Sequence, residues 1–336
     1  MSAAHGIDRV HLVGAGRMGQ GIALAVAFAG LRATLVDFKA RSYAEHDAFV
    51  QKARASISDQ LQSLVALGRL TADQAARVLD RIAFVSREHG QQALGEATLV
   101  FEAVPEVLDV KAEALRWMES ALSDHAVIAS TTSTFLVTQL QAFSARPGRI
   151  INAHWLNPAH LIPLVEVSRS DATDADAVAL TTELLARIGK RPIVCAPSAG
   201  YIVPRIQALA MNEAARMVEE GVASAEDIDT AIRTGFGLRF AVLGLLEFID
   251  WGGCDILYYA SHYLAREIAP RFEPAQAVID NMEQGRDGLR TRKGFYDYAD
   301  VDVPDYVRRR VQSFGALLDH LGLAPEFDGA LSKAAG

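Results

Sequence analysis

Cysteine is almost missing from this chain, with two among 336 residues. Cys195 and Cys254 form no C-x-x-C and no zinc spacing, so both read as reduced core thiols rather than as a disulfide framework or a metal centre. Positive charge is not in excess either. Thirty-three Lys and Arg stand against 41 Asp and Glu, a net charge of −8, which leaves no footprint for nucleic acid or for an anionic membrane. Long apolar runs are absent: Gly21–Gly30 and Phe240–Ile249 are the most apolar windows, and each is about half of the roughly 20 residues that a membrane span needs. The N-terminus M-S-A-A-H-G-I-D has neither the basic nor the apolar region of a signal peptide, and a cytoplasmic protein is expected. There is no P-loop lysine, no G-x-S-x-G elbow and no His/Cys/acid cluster with useful metal spacing.

What is present is an ordinary globular composition, half hydrophobic and 22% charged, which excludes disordered and collagen-like chains. The length predicts two domains, each able to bury its own core. A small molecule or a second copy of the chain is the expected partner.

The first hundred residues alternate strand and helix patterns. Val10–Val13 and Ala33–Val36 read as strands around an apolar helix, Met18–Phe28, which argues for a parallel sheet with helices on its faces. Residues 44–67 and 71–82, parted by Gly68, read as an inserted helical hairpin (about 44–82). Strands are expected at Leu99–Val104, Val127–Ser130, Ile150–Trp155, Pro163–Val167 and Pro192–Ala196, and a helix over Thr173–Ile188. Beyond Pro197 the pattern is helical almost throughout, with a last helix over Asp305–Leu321 and a loose tail ending A-L-S-K-A-A-G. The boundary is placed at 198/199. The fold class is therefore α/β, a doubly wound sheet of Rossmann type with an inserted hairpin over 1–198, followed by an all-α domain over 199–336.

Gly14-Ala15-Gly16-Arg17-Met18-Gly19 is a G-x-G-x-x-G between a strand and a helix. Gly14 suits the tight turn, Gly16 the approach of a pyrophosphate, and Gly19 the packing of helix on strand. The helix N-terminus behind Arg17 and Met18 offers free N–H groups to phosphates. Asp37 lies eighteen residues past Gly19, where a carboxylate bonds both ribose hydroxyls and repels a 2′-phosphate. NAD, rather than NADP, is the expected cofactor.

The segment Ile151–Val167 reads I-N-A-H-W-L-N-P-A-H-L-I-P-L-V-E-V. If its flanks pair as antiparallel strands, His154 and Glu166 face each other. A carboxylate on one imidazole nitrogen fixes the tautomer and leaves the other nitrogen free as a general base. A purely structural cross-strand pair fits the same spacing.

G-A-G-R-M-G, A-S-T-T-S-T-F at 129–135, H-W-L-N-P…L-V-E-V, E-A-V-P-E-V-L-D-V-K at 102–111 and G-F-Y-D-Y at 294–298 together resemble the L-3-hydroxyacyl-CoA dehydrogenase family. The resemblance implies NAD-dependent oxidation of a 3-hydroxyl in fatty acid metabolism, and a helical C-terminal domain that makes a homodimer. It implies His154 as base, Glu166 as its partner, Ser133 as the hydroxyl on the substrate's oxygen and Asn157 beside the base. It also implies cofactor contacts at Glu106 and Lys111. Ser133 equally suits a helix cap, and Lys111 a surface charge. The chain departs from the family at Thr131 (Asn in S-N-T-S) and across G-F-I-V-N-R, which is Gly200-Tyr201-Ile202-Val203-Pro204-Arg205 here. It departs again at Leu245, where G-P-x-E has proline, and at Arg290, where the family has lysine. Proline offers neither an amide side chain nor an N–H to a substrate.

Parts of the chain also resemble the branch with L-gulonate 3-dehydrogenase, carnitine dehydrogenase and lambda-crystallin, so a free 3-hydroxy acid and a non-catalytic NAD-binding role stay open beside the CoA thioester. A class of dehydrogenase that uses a lysine base from its helical domain does not fit. No lysine occurs between Lys190 and Lys293.

Overall fold

The computed structural model describes residues 6–325; the expected loose tail after Leu321 lies outside them from residue 326 on. Strands β1 (Arg9–Val13), β2 (Arg32–Asp37), β3 (Ile82–Ser86), β4 (Leu99–Glu102), β5 (Val127–Ser130), β6 (Ile150–Trp155), β7 (Leu164–Ser168) and β8 (Arg191–Cys195) form one sheet in the order β3-β2-β1-β4-β5-β6-β7-β8. Every pairing is parallel except β6 with β7. The strand order turns back at β1, between β2 and β4, so the ends of these strands open on a crevice that suits a dinucleotide.

Between the strands run α1 (Arg17–Phe28), α2 (Tyr43–Ala66), α3 (Ala72–Asp80), α4 (Arg87–Leu94), α5 (Leu108–Glu119), α6 (Val137–Gln141) and α7 (Ala175–Arg187). One apolar core gathers Leu12, Ile22, Leu35, Phe101 and Leu184, and a second gathers Val36, Val100, Leu115 and Met118. Strands buried on both faces explain the continuous apolar runs. Helix α2 starts on a capping box, with Ser42 accepting from the Glu45 N–H and Glu45 returning a bond to Ser42, and α3 repeats the device with Thr71 and Gln74.

The second helix of the hairpin ends at Asp80, not at Ile82. Ile82 opens β3, an edge strand of which the helical reading of 71–82 takes only the first residue, and α4 follows it directly. Strand β8 is the opposite edge. It carries Pro192, and Ile193 and Val194 are each 46% exposed.

The chain divides into two compact units, Met1–Ala210 and Met211–Gly336. The division falls within α8 (Val203–Glu219). The second unit holds α9 (Ala225–Ala231), a π-helical turn at Ile232–Phe236, α10 (Gly237–Val242), α11 (Leu245–Gly252), α12 (Cys254–Glu267), α13 (Gln276–Glu283) and α14 (Val303–Leu321). Asp250 is its buried anchor, accepting from the N–H groups of Phe295 and Tyr296 and from the hydroxyl of Tyr298. A Cβ at Gly294 would lie 2.1 Å from its Oδ1, so the G-F-Y-D-Y motif wraps a carboxylate. Leu245 takes the first helical position after Gly244, where a proline would also fit. Arg290 is held by Asp255, Asp287 and the Gly252 carbonyl. Among the described residues no helix is long and apolar enough to cross a membrane, and no His/Cys/acid cluster could hold a metal ion.

Candidate active site

A cleft of about 820 Å³ collects most of the residues expected at the site. Gly14, Gly16, Arg17, Met18 and Asp37 line it together with Glu106, Ser133, His154 and Asn157. Gly19, Lys111 and Glu166 stand behind it. The glycines are required for separate reasons. Gly14 has φ +109°, and a Cβ there would lie 2.3 Å from the Ala103 carbonyl oxygen; at Gly19 it would lie 2.0 Å from the Gly14 oxygen. At Gly16, the N-cap of α1, a Cβ would meet no protein atom within 4 Å. Protein packing does not demand that glycine, and the open space before the free N–H groups of α1 fits a pyrophosphate.

Asp37 closes β2 and is nearly buried. Its Oδ2 accepts from Arg41 Nε at 2.7 Å and lies 3.4 Å from His46 Nδ1, and its Oδ1 accepts from the Lys39 N–H at 3.3 Å. The sequence reading did not pair Arg41 with this acid, although an arginine four residues on is in reach.

The antiparallel pairing of β6 and β7 sets His154 directly opposite Glu166. Nδ1 of His154 lies 2.8 Å from Oε2 of Glu166. Glu166 is fully buried, and its other oxygen, Oε1, accepts from the N–H groups of Ile202 and Val203, each at 2.9 Å. Those groups open α8, where free N–H donors and the positive end of the helix dipole favour a carboxylate. Pro204 sits in this first turn, where a missing N–H costs no hydrogen bond. It lines neither the cleft nor the second cavity described below.

Tyr201 has no role that the sequence pattern announces. It is buried, and its ring stacks on His154 with centroids 4.7 Å apart and planes at 13°. Burial pushes its phenol up, against a bond from Asn152, so the hydroxyl stays protonated.

Glu106 grips the loop after β5. Its Oε1 accepts from the Thr132 hydroxyl and from the N–H groups of Ser133 and Thr134. Burial alone would raise its carboxyl; the Thr132 bond and the Lys111 charge outweigh that and hold it below the usual range. Lys111, expected at the cofactor, is fully buried instead. Its ammonium bonds Glu102 at 3.0 and 3.1 Å and lies 3.3 Å from Glu106, so it can act on a cofactor only by steadying Glu106. The helical pattern of α5 does not distinguish this inward lysine from a surface one.

The Asn157–Pro158 peptide is cis and begins the turn to β7. Lys190, nearly buried, ties that turn down by donating to the carbonyls of Ala159 (2.6 Å) and Ile162 (2.9 Å), and lies over the Trp155 ring. His160 shares the turn; burial, then the Lys190 charge, push its imidazole down. A second cavity of about 660 Å³ adjoins: Arg17, Phe49 and Asn157 line both, and Lys52, Ser56 and His160 line the second. Of the other hairpin cations, Arg54 donates to the Ile82 carbonyl and Arg81 to that of Ala27.

Known proteins match both parts of the chain. The family profile described as 3-hydroxyacyl-CoA dehydrogenase, NAD binding domain, matches residues 9–198, and that of the C-terminal domain matches 200–298. The chain is 32% identical over 295 residues to a 3-hydroxybutyryl-CoA dehydrogenase of Mycobacterium tuberculosis, covering 87% of this chain and 99% of that one. It is 30% identical over 296 residues to the 5-formyl-3-hydroxy-2-methylpyridine 4-carboxylate 5-dehydrogenase of Mesorhizobium japonicum, covering 87% and 91%. The crystal structure of a 3-hydroxyacyl-CoA dehydrogenase from Archaeoglobus fulgidus is similar at a TM-score of 0.73 and 31% identity, over 94% of this chain and 99% of that one.

Proposed function

The chain belongs to the 3-hydroxyacyl-CoA dehydrogenase family, NAD-dependent oxidoreductases that act on CH–OH groups, and from that premise we propose that it oxidises the 3-hydroxyl of an L-3-hydroxyacyl-CoA to the 3-keto compound. The observation that carries the thioester reading is the second cavity. It shares Asn157 with the cleft and offers Arg17 and Lys52 beside Phe49. A long tail ending in phosphates has use for such a space and such cations, whereas a small hydroxy acid has none.

In this reading the substrate's hydroxyl oxygen lies between Ser133 and His154. Ser133 donates to that oxygen, and Asn157 orients the acyl group. Nε2 of His154 takes the hydroxyl proton as the C3–H bond breaks. Glu166 accepts Nδ1–H throughout, which holds the tautomer and stabilises the imidazolium that forms. NAD, when bound, supplies the acceptor for the hydride. The turn of Gly14, Gly16 and Gly19 with Arg17 and Met18 holds its pyrophosphate, Asp37 its adenosine ribose, and Glu106, backed by Lys111, its nicotinamide half.

The region 1–198 serves the cofactor, and 199–336 contributes to substrate enclosure and to a homodimer. Exposed Met211, Ile256 and Tyr259 in the second unit support the dimer. One observation favours a second reading, a free hydroxy acid: a relative at 30% identity is named for a pyridine carboxylate.

A panel of 3-hydroxyacyl-CoAs and free 3-hydroxy acids, followed by NADH absorbance, tests the reading. The thioesters should be turned over with kcat/KM at least tenfold above any free acid, and Lys52→Ala should raise KM for thioesters alone. Preferred turnover of a free acid would replace the thioester reading, and no NADH from any substrate would leave a non-catalytic role.

A further inference from the structure

We propose that Tyr201 is a positioning residue that fixes Ser133 and His154 relative to each other. The proposal rests on the reading above, in which these two groups meet on one substrate oxygen. They come from different strands: Ser133 from the loop after β5, His154 from β6. Each is fastened locally, but a catalytic distance between them needs a brace, and Tyr201 spans the two: its ring lies on His154, and its hydroxyl holds the Thr132 carbonyl that precedes Ser133.

Its ring covers one face of the His154 imidazole, 4.7 Å between centroids and near-parallel at 13°. The hydrogen bond to Glu166 fixes one atom of the imidazole; the stack fixes the plane. The Tyr201 hydroxyl donates to the Thr132 carbonyl at 2.8 Å. That carbonyl belongs to the peptide whose N–H is that of Ser133, and this N–H donates to Glu106 at 3.0 Å. The peptide that carries Ser133 is thus held from both sides, by tyrosine on its oxygen and glutamate on its nitrogen. The direction of the hydroxyl is set as well. Asn152 Nδ2 donates to the tyrosine oxygen at 3.0 Å, which commits the phenol proton to Thr132. Asn152 lies two residues before His154 on β6, so the brace returns to the strand of the base.

The backbone agrees with a fixed part. Tyr201 has φ +46°, directly after Gly200 at +76°. A bulky residue keeps such a conformation only where its surroundings over-determine it. The turn also delivers the next two N–H groups, Ile202 and Val203, to Glu166. One short segment therefore holds the acid through its backbone and the base and the loop through one side chain. The corresponding position of the family motif G-F-I-V-N-R is phenylalanine, which would keep the stack and lose the tether.

Tyr201→Phe and Ser133→Ala, singly and combined, test the idea by NADH absorbance. Tyr201→Phe should lower kcat about three- to tenfold, the ordinary worth of one hydrogen bond, with KM for NAD unchanged. If the hydroxyl works through Ser133, the double variant should retain the kcat of Ser133→Ala alone, because residues acting as a unit are not additive. Tyr201→Leu, which removes the stack too, should fall at least tenfold below Tyr201→Phe. Losses that multiply in the double variant, or a Tyr201→Phe enzyme with wild-type kcat, would overturn the brace and leave the His154 reading intact. A silent Ser133→Ala would remove the serine's role and the brace with it, while His154→Ala tests the base independently.

Discussion

Replacing Glu166 by glutamine changes one atom of a buried side chain, and the surroundings decide which way the new amide turns. Oε1 of the acid accepts from two backbone N–H groups, Ile202 and Val203, while Oε2 faces His154 Nδ1. An amide nitrogen cannot face two N–H donors without leaving all of them unsatisfied, at about 1–3 kcal/mol for each buried group. The glutamine oxygen must therefore take the N–H pair, and its NH₂ must point at the imidazole. A donor there makes Nδ1 the acceptor and moves the ring proton to Nε2, the atom that accepts the substrate's proton in the proposed mechanism. An orienting role alone would make this a milder loss than that of the histidine. The fixed N–H pair makes it as severe. The same change in the triad of serine proteases costs about 10⁴ in kcat by the wrong tautomer. Here we expect about three to four orders of magnitude, roughly 4–5 kcal/mol of barrier, with every polar atom still partnered and the melting temperature little changed. Turnover is read by NADH absorbance, and folding and cofactor binding by thermal unfolding and NADH fluorescence. A folded, NADH-binding Glu166→Gln enzyme with more than a tenth of wild-type kcat would refute the tautomer argument.

Two further outcomes follow from the buried charges. His11 on β1 is buried with an unpartnered Nδ1, and burial, then the Arg9 charge, push its imidazole from 6.5 down to about 4. The unfolded chain takes up that proton first, so stability present above pH 6.5 should be lost as pH falls toward 4, by up to about 3 kcal/mol. His11→Leu should flatten this part of the urea-unfolding profile, and an unchanged acid slope would count against it. Asp37→Ser should free Arg41 for a 2′-phosphate, beside Lys39 in the same cleft, and raise kcat/KM for NADP over NAD by at least a hundredfold relative to the parent; an unchanged ratio would take the choice of cofactor away from Asp37.

The parts of the site legible in the sequence are those built from near neighbours. The glycine turn before α1 and the twelve-residue step from His154 to Glu166 follow from local geometry, because a tight turn and an antiparallel register each leave few arrangements. The second hold on Glu166 comes from a segment 36 residues on. Tyr201 reaches Thr132 across 69 residues, and nothing in Gly200-Tyr201-Ile202 announces a brace rather than a core aromatic. Lys111 misled for the opposite reason. Its place on α5 suits a surface charge, and only the inward carboxylates of Glu102 and Glu106 explain its burial. Strand β3 was lost because I-A-F-V-S continues the apolar spacing of the helix before it and is half exposed at an edge, where strand patterning is weakest.

Strand β8 bears on something other than catalysis. An outermost strand with half-exposed Ile193 and Val194 is a template on which a foreign strand can add. Pro192 removes one N–H from that ladder, and Arg191 places a charge at its start. The strand next inward is β7, which carries Glu166. The proline thus leaves a foreign strand one donor short at an edge one strand removed from the carboxylate that pairs with His154.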